Sequence, residues 1–163
     1  MFFLRRVKLS LATLFSFVSF GLAMSSANAT LLFDWNVEAL SRNTDAVVVA
    51  TVEDTFTSLD PQRGVVYTHA KVRVMEVIAG SAKKDQLLHV VQLGGSHDEI
   101  FMKLDGSPAF ERNERCVLFV EKRRSGAGAL ISDHWMVTGM FQGKFRYEMK
   151  DARAQVSRKA LVQ

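Results

Sequence analysis

The spacing of hydrophobic residues changes near residue 45, and this change separates a short helix from a series of strands. Residues 31–44, LLFDWNVEALSRNT, predict a helix with Trp35 and Leu40 on its apolar side. Asp34 is a suitable residue to cap the start of this helix, and Asn43 suits its end. We expect the helix to cover one end of a sheet.

β-branched residues and apolar–polar alternation follow the helix. Residues 45–56 and 65–80 are two such runs, separated by a loop that contains Asp-Pro and Gly. They predict a long antiparallel hairpin with one buried face. His69 shares the polar face of the second run with Lys71, and it is therefore expected to lie in water. The apolar positions change phase near residues 75–77, which predicts a β-bulge.

Further short strands are predicted over 87–93, 116–122, 134–141 and 144–149. Five or six short strands with a bulge, together with one short N-terminal helix, favour a mainly β protein. The predicted architecture is a small, closed or partly open β-barrel, and the alternative is a β-sandwich.

The N-terminus has the pattern of a secretory signal peptide. Basic residues within positions 5–8 precede an uncharged run over 9–24, and the small-residue sequence ANA follows at 27–29. The run of 16 residues is shorter than the ~20 that a helix needs to cross a bilayer. We expect residues 1–29 to be removed after Ala29, which leaves a periplasmic or secreted protein without a membrane span.

The length of the mature chain indicates one domain. Removing 29 of 163 residues leaves 134, enough for one core and too few for two comfortable domains. Residues 30–150 are predicted to form the β-barrel domain. Residues 151–163 are polar and basic, and they predict a C-terminal tail that is a short helix or a frayed end.

Removal of the signal peptide also changes what the charge indicates. The whole chain carries 21 Lys and Arg against 17 Asp and Glu, and three of the basic residues lie in the signal peptide. The mature charge of 18 − 17 = +1 argues against nucleic acid as a partner.

Cys116 is the only cysteine, so no internal disulfide can form. The apolar residues around Cys116 predict a buried structural thiol.

The order of these features resembles that of an uncharacterised family of exported bacterial β-barrel domains. The resemblance covers about residues 35–147 and rests on SRNTDAVVVATV, VYTHAKVRVMEVIAG, VVQLGG, DGSPAFERNERCVLFV and VTGMFQGKF. The chain departs from the family pattern at two positions: it has Ala79 where the family often has Lys, and Asn113 where the family often has Gly. Asn still tolerates the positive φ of a tight turn.

More distantly, the chain is similar to the OB-type barrels of netrin modules and tissue inhibitors of metalloproteinases. That similarity implies an OB-like barrel and no inhibitory activity, because the disulfides and the N-terminal Cys of those proteins are absent.

His97, Asp98 and Glu99 are the residues whose chemistry is most suggestive of catalysis. Adjacent residues on an extended segment point to alternate sides, so three in a row do not converge on one metal ion without a sharp turn. The sequence also lacks helical His spacing for zinc, an activated nucleophile motif and a phosphate-binding loop. We therefore predict a solvated loop with no catalytic residue, no metal ligand and no cofactor. His89, on an apolar strand face, is predicted to be a core or boundary residue.

Two groups of residues match the family pattern or lie next to such a match, and we predict a different role for each group. The first is structural: the glycines are expected to allow a tight corner or a close approach, while Pro108 and Phe110 pin a loop to the barrel. This group consists of Gly94, Gly95, Gly106, Pro108 and Phe110. The second is a possible binding surface, because polar and aromatic side chains are enriched where partners dock. It consists of Gln142, Lys144, Arg146 and Tyr147. A turn in which Gln142 bonds backbone and Phe145 packs inward is the structural alternative.

These observations predict an exported, non-enzymatic domain that binds a protein, a peptide or an envelope component. The alternative is an extracytoplasmic hydrolase or metal-dependent enzyme that uses His97 and Asp98. Only the first agrees with the absence of a nucleophile motif and of metal-ligand spacing.

Overall fold

β-branched residues dominate the segment that begins at Ala46, and this segment forms the first of the strands. The computed structural model describes residues 35–124, 131, 133–150 and 153–158, which all belong to one compact unit of residues 32–163. The predicted signal peptide, its cleavage site and Asp34 lie outside the described residues. Within the described part of the chain, no helix is long and apolar enough to cross a membrane.

The described residues form one α-helix, nine strands and a 3-10 helix. The α-helix α1 spans Val37–Arg42 and the 3-10 helix spans Met140–Gly143. The strands are, in chain order, β1 (Ala46–Asp60), β2 (Val65–Gly80), β3 (Leu87–Leu93), β4 (Gly95–His97), β5 (Ile100–Met102), β6 (Arg115–Arg123), β7 (His134–Val137), β8 (Lys144–Lys150) and β9 (Arg153–Arg158).

Five of the strands hydrogen-bond in a ring. β1 pairs with β2, β2 with β3, β3 with β7, β7 with β6, and β6 returns to β1. The β3–β7 contact is parallel and the other four are antiparallel. β8 and β9 extend the sheet outward from β6, and β4 with β5 forms a separate two-stranded sheet. The mainly β fold class with one short helix is thus confirmed, as a five-stranded ring rather than the two facing sheets of a sandwich.

The predicted bulge in the second strand is confirmed. The partners of Val47 and Val48 on β2 are Ala79 and Val77, so Ile78 has no partner across the pair. A second register shift leaves out Met75. Extra residues on one strand increase its twist, and this lets a 16-residue strand bend around the ring.

Both faces of β1 are buried over residues 46–50, which explains why its sequence is apolar at consecutive positions there. Inside the ring, side chains from β1, β2, β3 and β6 pack together without solvent exposure. They include Val48, Val52, Val72, Leu88 and Leu118. On the outside, Val47 and Val49 pack with Leu40 of α1, with Val117 and Phe119 of β6, and with the partly buried Trp35. The helix therefore covers the outer face of β1 and β6.

The helix begins later than the sequence indicates. Asn36 is its N-cap, and the Asn36 side-chain oxygen accepts a hydrogen bond of 2.7 Å from the Ala39 N–H. Asn43 ends the helix, as predicted. Asp34 was expected to be the cap, but Asn36 supplies the same kind of acceptor two residues later.

Three segments differ from the predicted elements. Residues 95–102 form the β4–β5 hairpin instead of a loop, and β7 ends at Val137 because the 3-10 helix follows it. Within the predicted tail, residues 153–158 form the strand β9 instead of a helix or a frayed end. β9 pairs with β8 from Phe145↔Arg158 to Lys150↔Arg153. Main-chain pairing of this kind needs no apolar alternation, so the polar sequence of 151–163 did not reveal it.

Neighbouring leucines on β3 provide a test of which face is buried. Leu88 is fully buried in the ring and Leu87 is 43% exposed. We expect Leu88→Ala to lower the free energy of unfolding by about 2–5 kcal/mol, because it leaves a cavity in the core. Leu87→Ala should change it by less than about 1 kcal/mol. Urea denaturation followed by circular dichroism measures both, and equal losses would contradict the assignment of the faces.

Candidate functional site

The His97-Asp98-Glu99 cluster lies at the tip of the β4–β5 hairpin. His97 ends β4, and the turn residues Asp98 and Glu99 are exposed. His97 Nδ1 lies 3.3 Å from Thr57 Oγ1, and its Nε2 lies 3.9 Å from an Asp98 carboxylate that is 89% exposed. Across the part of the chain that the structure describes, no three His, Cys, Asp or Glu side chains are grouped so that they could hold a metal ion. The predicted solvated loop is therefore a hairpin tip, and the enzyme alternative based on His97 and Asp98 stays a prediction.

The glycines around this hairpin serve its packing. Gly95 has a φ of 131°, and a Cβ added there would lie 2.5 Å from Thr68 Oγ1. Only glycine allows the hairpin to approach the β1–β2 strands so closely. Gly94 donates its N–H to Val66 O at 2.8 Å, and Gly106 O accepts from the Phe141 N–H at 2.8 Å. Through the main chain, Gly94 therefore joins this segment to β2, and Gly106 joins it to the 3-10 helix.

Pro108, Phe110 and Asn113 hold the connection between β5 and β6. Pro108 is buried, and the Phe110 ring packs against the core inside the ring of strands. Asn113 has a φ of 65°, and its N–H bonds Val52 O at 2.8 Å. The turn expected at this position is thus formed, with Asn in the left-handed conformation that it tolerates.

Gln142 belongs to the interior of the protein. Its side chain is only 4% exposed, and Gln142 Oε1 accepts a hydrogen bond of 2.8 Å from the Trp35 main-chain N–H. A Cβ on the next residue, Gly143, would lie 2.1 Å from Thr138 O, so this turn has no space for another residue type. Gln142 and Gly143 therefore join the segment before α1 to the turn between β7 and β8.

Lys144 is also engaged inside the protein. Its Nζ lies 2.8 and 2.7 Å from the two carboxylate oxygens of Glu114, and it donates to Ala109 O. The Lys144 and Glu114 side chains are 11% and 12% exposed. Nζ also lies 4.9 Å from the centroid of the Phe110 ring, a cation–π contact. Lys144 thus fixes the β5–β6 connection against β8.

Arg146 and Tyr147 are nearer the surface than the other two residues of the predicted binding surface. Arg146 forms an ion pair of 3.5 Å with Glu148, and the Arg115 guanidinium lies 5.9 Å from the Tyr147 ring. They border a shallow depression of about 280 Å³ whose lining is mostly charged. The four residues do not share one exposed face, and a binding role for Arg146 and Tyr147 stays a prediction.

A histidine cluster that the sequence did not predict lies on the outer face of β1, β2 and β3. It consists of Phe56, Ser58, His69 and His89. Ser58 Oγ lies 2.7 Å from His69 Nε2, and His69 Nδ1 lies 2.9 Å from His89 Nε2. The Phe56 ring lies parallel to the His69 ring, with centroids 4.6 Å apart. The prediction that His69 lies in water is wrong, because its side chain is 4% exposed.

Strand register explains how the histidine cluster forms. His69 is directly opposite Phe56 on β1, and His89 is opposite Lys71, two residues further along β2. Long side chains reach such diagonal neighbours on one face of a sheet.

The pKa values of both histidines are lowered. Burial is the main reason why the pKa of His69 falls to about 4, and His89 and His134 make smaller contributions. Burial also lowers the pKa of His89, followed by the charges of His134 and Lys71.

A second unpredicted feature is an apolar groove on the outer face of β1, β6 and β8, beside α1. We define it by its floor, Val47, Val117, Phe119 and Phe145, and by its rim, Val37, Ile78 and Val156. Its volume is about 470 Å³, within the range of about 300–1,000 Å³ that is usual for ligand sites. The rim residues are 50%, 56% and 51% exposed. Three exposed aliphatic side chains from three elements thus surround an apolar floor that is buried at Val47, Val117 and Phe119 and partly buried at Phe145.

The pKa shift of His69 predicts an acid-dependent loss of stability. The unfolded chain binds a proton near pH 6.5 and the folded chain only near pH 4, so this contribution is complete above pH 6.5 and is lost as the pH falls towards 4. The loss should reach up to about 3 kcal/mol. Urea denaturation between pH 7 and 4 measures it. In His69→Gln the pH dependence should be shallower, whereas in His97→Gln it should match the unmodified chain; equal slopes in all three would contradict the assignment.

The Lys144–Glu114 pair predicts that loss of one partner is more harmful than loss of both. Lys144→Met leaves the Glu114 carboxylate buried without its cation, and we expect a loss of about 3 kcal/mol in the free energy of unfolding. The double variant Lys144→Met with Glu114→Gln should recover most of this loss. Thermal unfolding of the unmodified chain, the Lys144→Met variant and the double variant is the measurement, and a double variant no more stable than Lys144→Met would argue against the pair.

Cys116 is buried, as predicted. Burial raises the pKa of its thiol to about 12, so the thiol stays protonated and unreactive at neutral pH in the folded protein. The described residues contain no disulfide.

No family model, no curated protein and no solved structure matches the chain.

Proposed function

We propose that this protein is an exported, non-enzymatic binding domain whose apolar groove takes an extended peptide segment of a partner protein. The observation that carries the proposal is the groove itself, where a buried floor is surrounded by a half-exposed aliphatic rim. Solvent contact with Val37, Ile78 and Val156 costs free energy that a docked apolar segment would recover. The export pattern of residues 1–29 is the basis for a partner outside the cytoplasm.

The chemistry of the groove favours an uncharged occupant. The one charged residue in its lining is Asp45, whose carboxylate already accepts a hydrogen bond of 2.7 Å from the Lys122 main-chain N–H. Thr44 is similarly occupied, since its hydroxyl bonds Val120 O at 2.7 Å. An anionic headgroup would therefore find no positive counter-charge among the lining residues.

An edge strand beside the groove favours a peptide over an acyl chain. β9 lies at the end of the seven-stranded sheet, and among the described strands it pairs only with β8. Val156 of β9 belongs to the groove rim, so a segment added alongside β9 would place alternate side chains next to Val156, on the face of the sheet that carries the groove. Such strand addition gains main-chain hydrogen bonds from the edge and side-chain selectivity from the adjacent pocket. An acyl chain uses only the second of these.

The test measures binding of a capped ten-residue peptide that alternates Val and Thr. Isothermal titration calorimetry gives the affinity, and methyl NMR signals of the Val and Ile residues report the site. We expect Ile78→Asp and Val156→Asp each to weaken binding about tenfold or more, because a charge replaces an apolar contact. Phe101→Asp is the matched control, since Phe101 is 73% exposed on the β4–β5 hairpin and lies outside the groove lining.

Two further probes separate the possible occupants. A peptide with Pro at the central positions cannot donate the main-chain hydrogen bonds of a strand, and it should bind at least tenfold more weakly. A dodecyl maltoside titration below its micelle concentration tests an acyl chain. Binding of the detergent with no binding of the alternating peptide would overturn the proposal, and so would peptide binding that is indifferent to both rim variants.

A further inference from the structure

The two imidazoles of the histidine cluster face each other end to end. His69 Nδ1 and His89 Nε2 are 2.9 Å apart, the ring centroids are 5.1 Å apart and the ring planes differ by 16°. The centroid separation exceeds the nitrogen separation by about two ring radii. The rings therefore lie side by side in nearly one plane, and the two nitrogens point directly at each other.

Neighbouring residues hold His69 in this orientation. Ser58 Oγ bonds the other ring nitrogen, Nε2, so that Nδ1 is the nitrogen directed at His89. The parallel Phe56 ring lies against the His69 ring and restricts its rotation. A hydrogen bond to the second ring nitrogen is what orients most metal-binding histidines in proteins. The cluster thus has an oriented ligand, a second ligand opposite it and an apolar cover.

We propose that His69 Nδ1 and His89 Nε2 form a two-ligand site for a monovalent soft cation, Cu(I), with Ag(I) as its redox-inert substitute. Imidazole is a normal ligand for copper, and a d¹⁰ monovalent cation accepts two ligands in a line. Zn²⁺ takes four ligands in structural sites and three in catalytic sites. Among the described residues no three His, Cys, Asp or Glu side chains are placed to bind one metal ion, so the geometry favours the linear cation.

Binding requires a small movement of the rings. Two metal–nitrogen bonds of ~2.0 Å place the nitrogens about 4 Å apart, so the rings must separate by roughly 1 Å from their 2.9 Å contact. His89 is the ring that moves, because it is partly exposed whereas His69 is buried. The flat, nearly coplanar arrangement is preserved when the two rings slide apart along the line of the nitrogens.

The proton balance of the step is simple. Each neutral imidazole keeps one proton, on Nε2 of His69 towards Ser58 and on Nδ1 of His89, and each directs its lone pair at the cation. The proton that lies between the rings moves to the other nitrogen of its own ring, so no proton is released and no electron is transferred. Lys71 acts against cation binding, but Asp54 lies 3.7 Å from its ammonium group and offsets part of its charge.

The experiment titrates the full chain carrying Cys116→Ser with Ag(I) at pH 7, so that the buried thiol is removed as a rival ligand. Calorimetry should show one Ag(I) bound per chain. In ¹⁵N NMR spectra of the imidazoles, the signals of His69 Nδ1 and His89 Nε2 should shift on binding, and those of His97 should not. Cu(I), kept reduced, should give a two-coordinate X-ray absorption spectrum.

Four variants in the same background test the assignment of the ligands. His69→Gln and His89→Gln should each weaken Ag(I) binding at least 100-fold, and His97→Gln should leave it unchanged. Ser58→Ala should weaken it about 10–100-fold, as expected for a residue that orients a ligand. If a Gln variant fails to fold, the ¹⁵N shifts in the Cys116→Ser protein decide the assignment. The absence of a stoichiometric site, or shifts confined to other histidines, would overturn the proposal.

Zinc provides the selectivity control. Zn²⁺ titrated under the same conditions should bind at least 100-fold more weakly than Ag(I). Equal or tighter Zn²⁺ binding through the same two nitrogens would overturn the linear two-ligand assignment. Peptide binding at the apolar groove is measured separately and with other variants, so the two proposals can fail independently.

Discussion

The pairing of β1 with two neighbours is the constraint on which the rest of the structure depends. Residues 46–51 bond β2 along one edge and β6 along the other, and this second contact closes the ring. Closure separates an interior, where Val48 and Ala50 pack, from an exterior, where Val47 and Val49 pack under α1. Because a strand with two bonded edges and two buried faces cannot shift its register, β1 positions every element around it.

The outer face of the ring contains two different environments. The first residues of β1 and the end of β2 border the apolar groove, while Phe56, Ser58 and His69, at the other end of the same hairpin, belong to the histidine cluster. The hairpin is long enough for both, and the two bulges of β2 lie in its last part, whose residues 78–80 line the groove. One continuous pair of strands thus supports an apolar surface and a polar one without shared side chains.

The polar residues of the short motif QGKF show how a distinctive sequence can serve folding. Gln142 and Lys144 bond main-chain groups or a carboxylate far away in the sequence, at Trp35, Ala109 and Glu114. A buried polar group without partners destabilises the folded state, so each of these contacts restricts the arrangement of the chain. This turn therefore ties together the segment before α1, the β5–β6 connection and β8.

Alternation and β-branched composition were sufficient to predict the mainly β class, the β1–β2 hairpin, the bulge near residue 76 and the buried Cys116, because these depend on neighbours in sequence. The hairpin at residues 95–102 and the strand β9 were missed, since their pairing relies on main-chain bonds that a polar sequence does not reveal. The burial of His69 was also not predicted from the sequence. Alternation placed His69 correctly on the outer face, but only the strand register shows that Phe56, Ser58 and His89 cover it. The sequence by itself determined which residues face inward along β2, where apolar and polar positions alternate. Only the tertiary structure decided which outward residues meet, because contacts across strands depend on register and on closure of the ring.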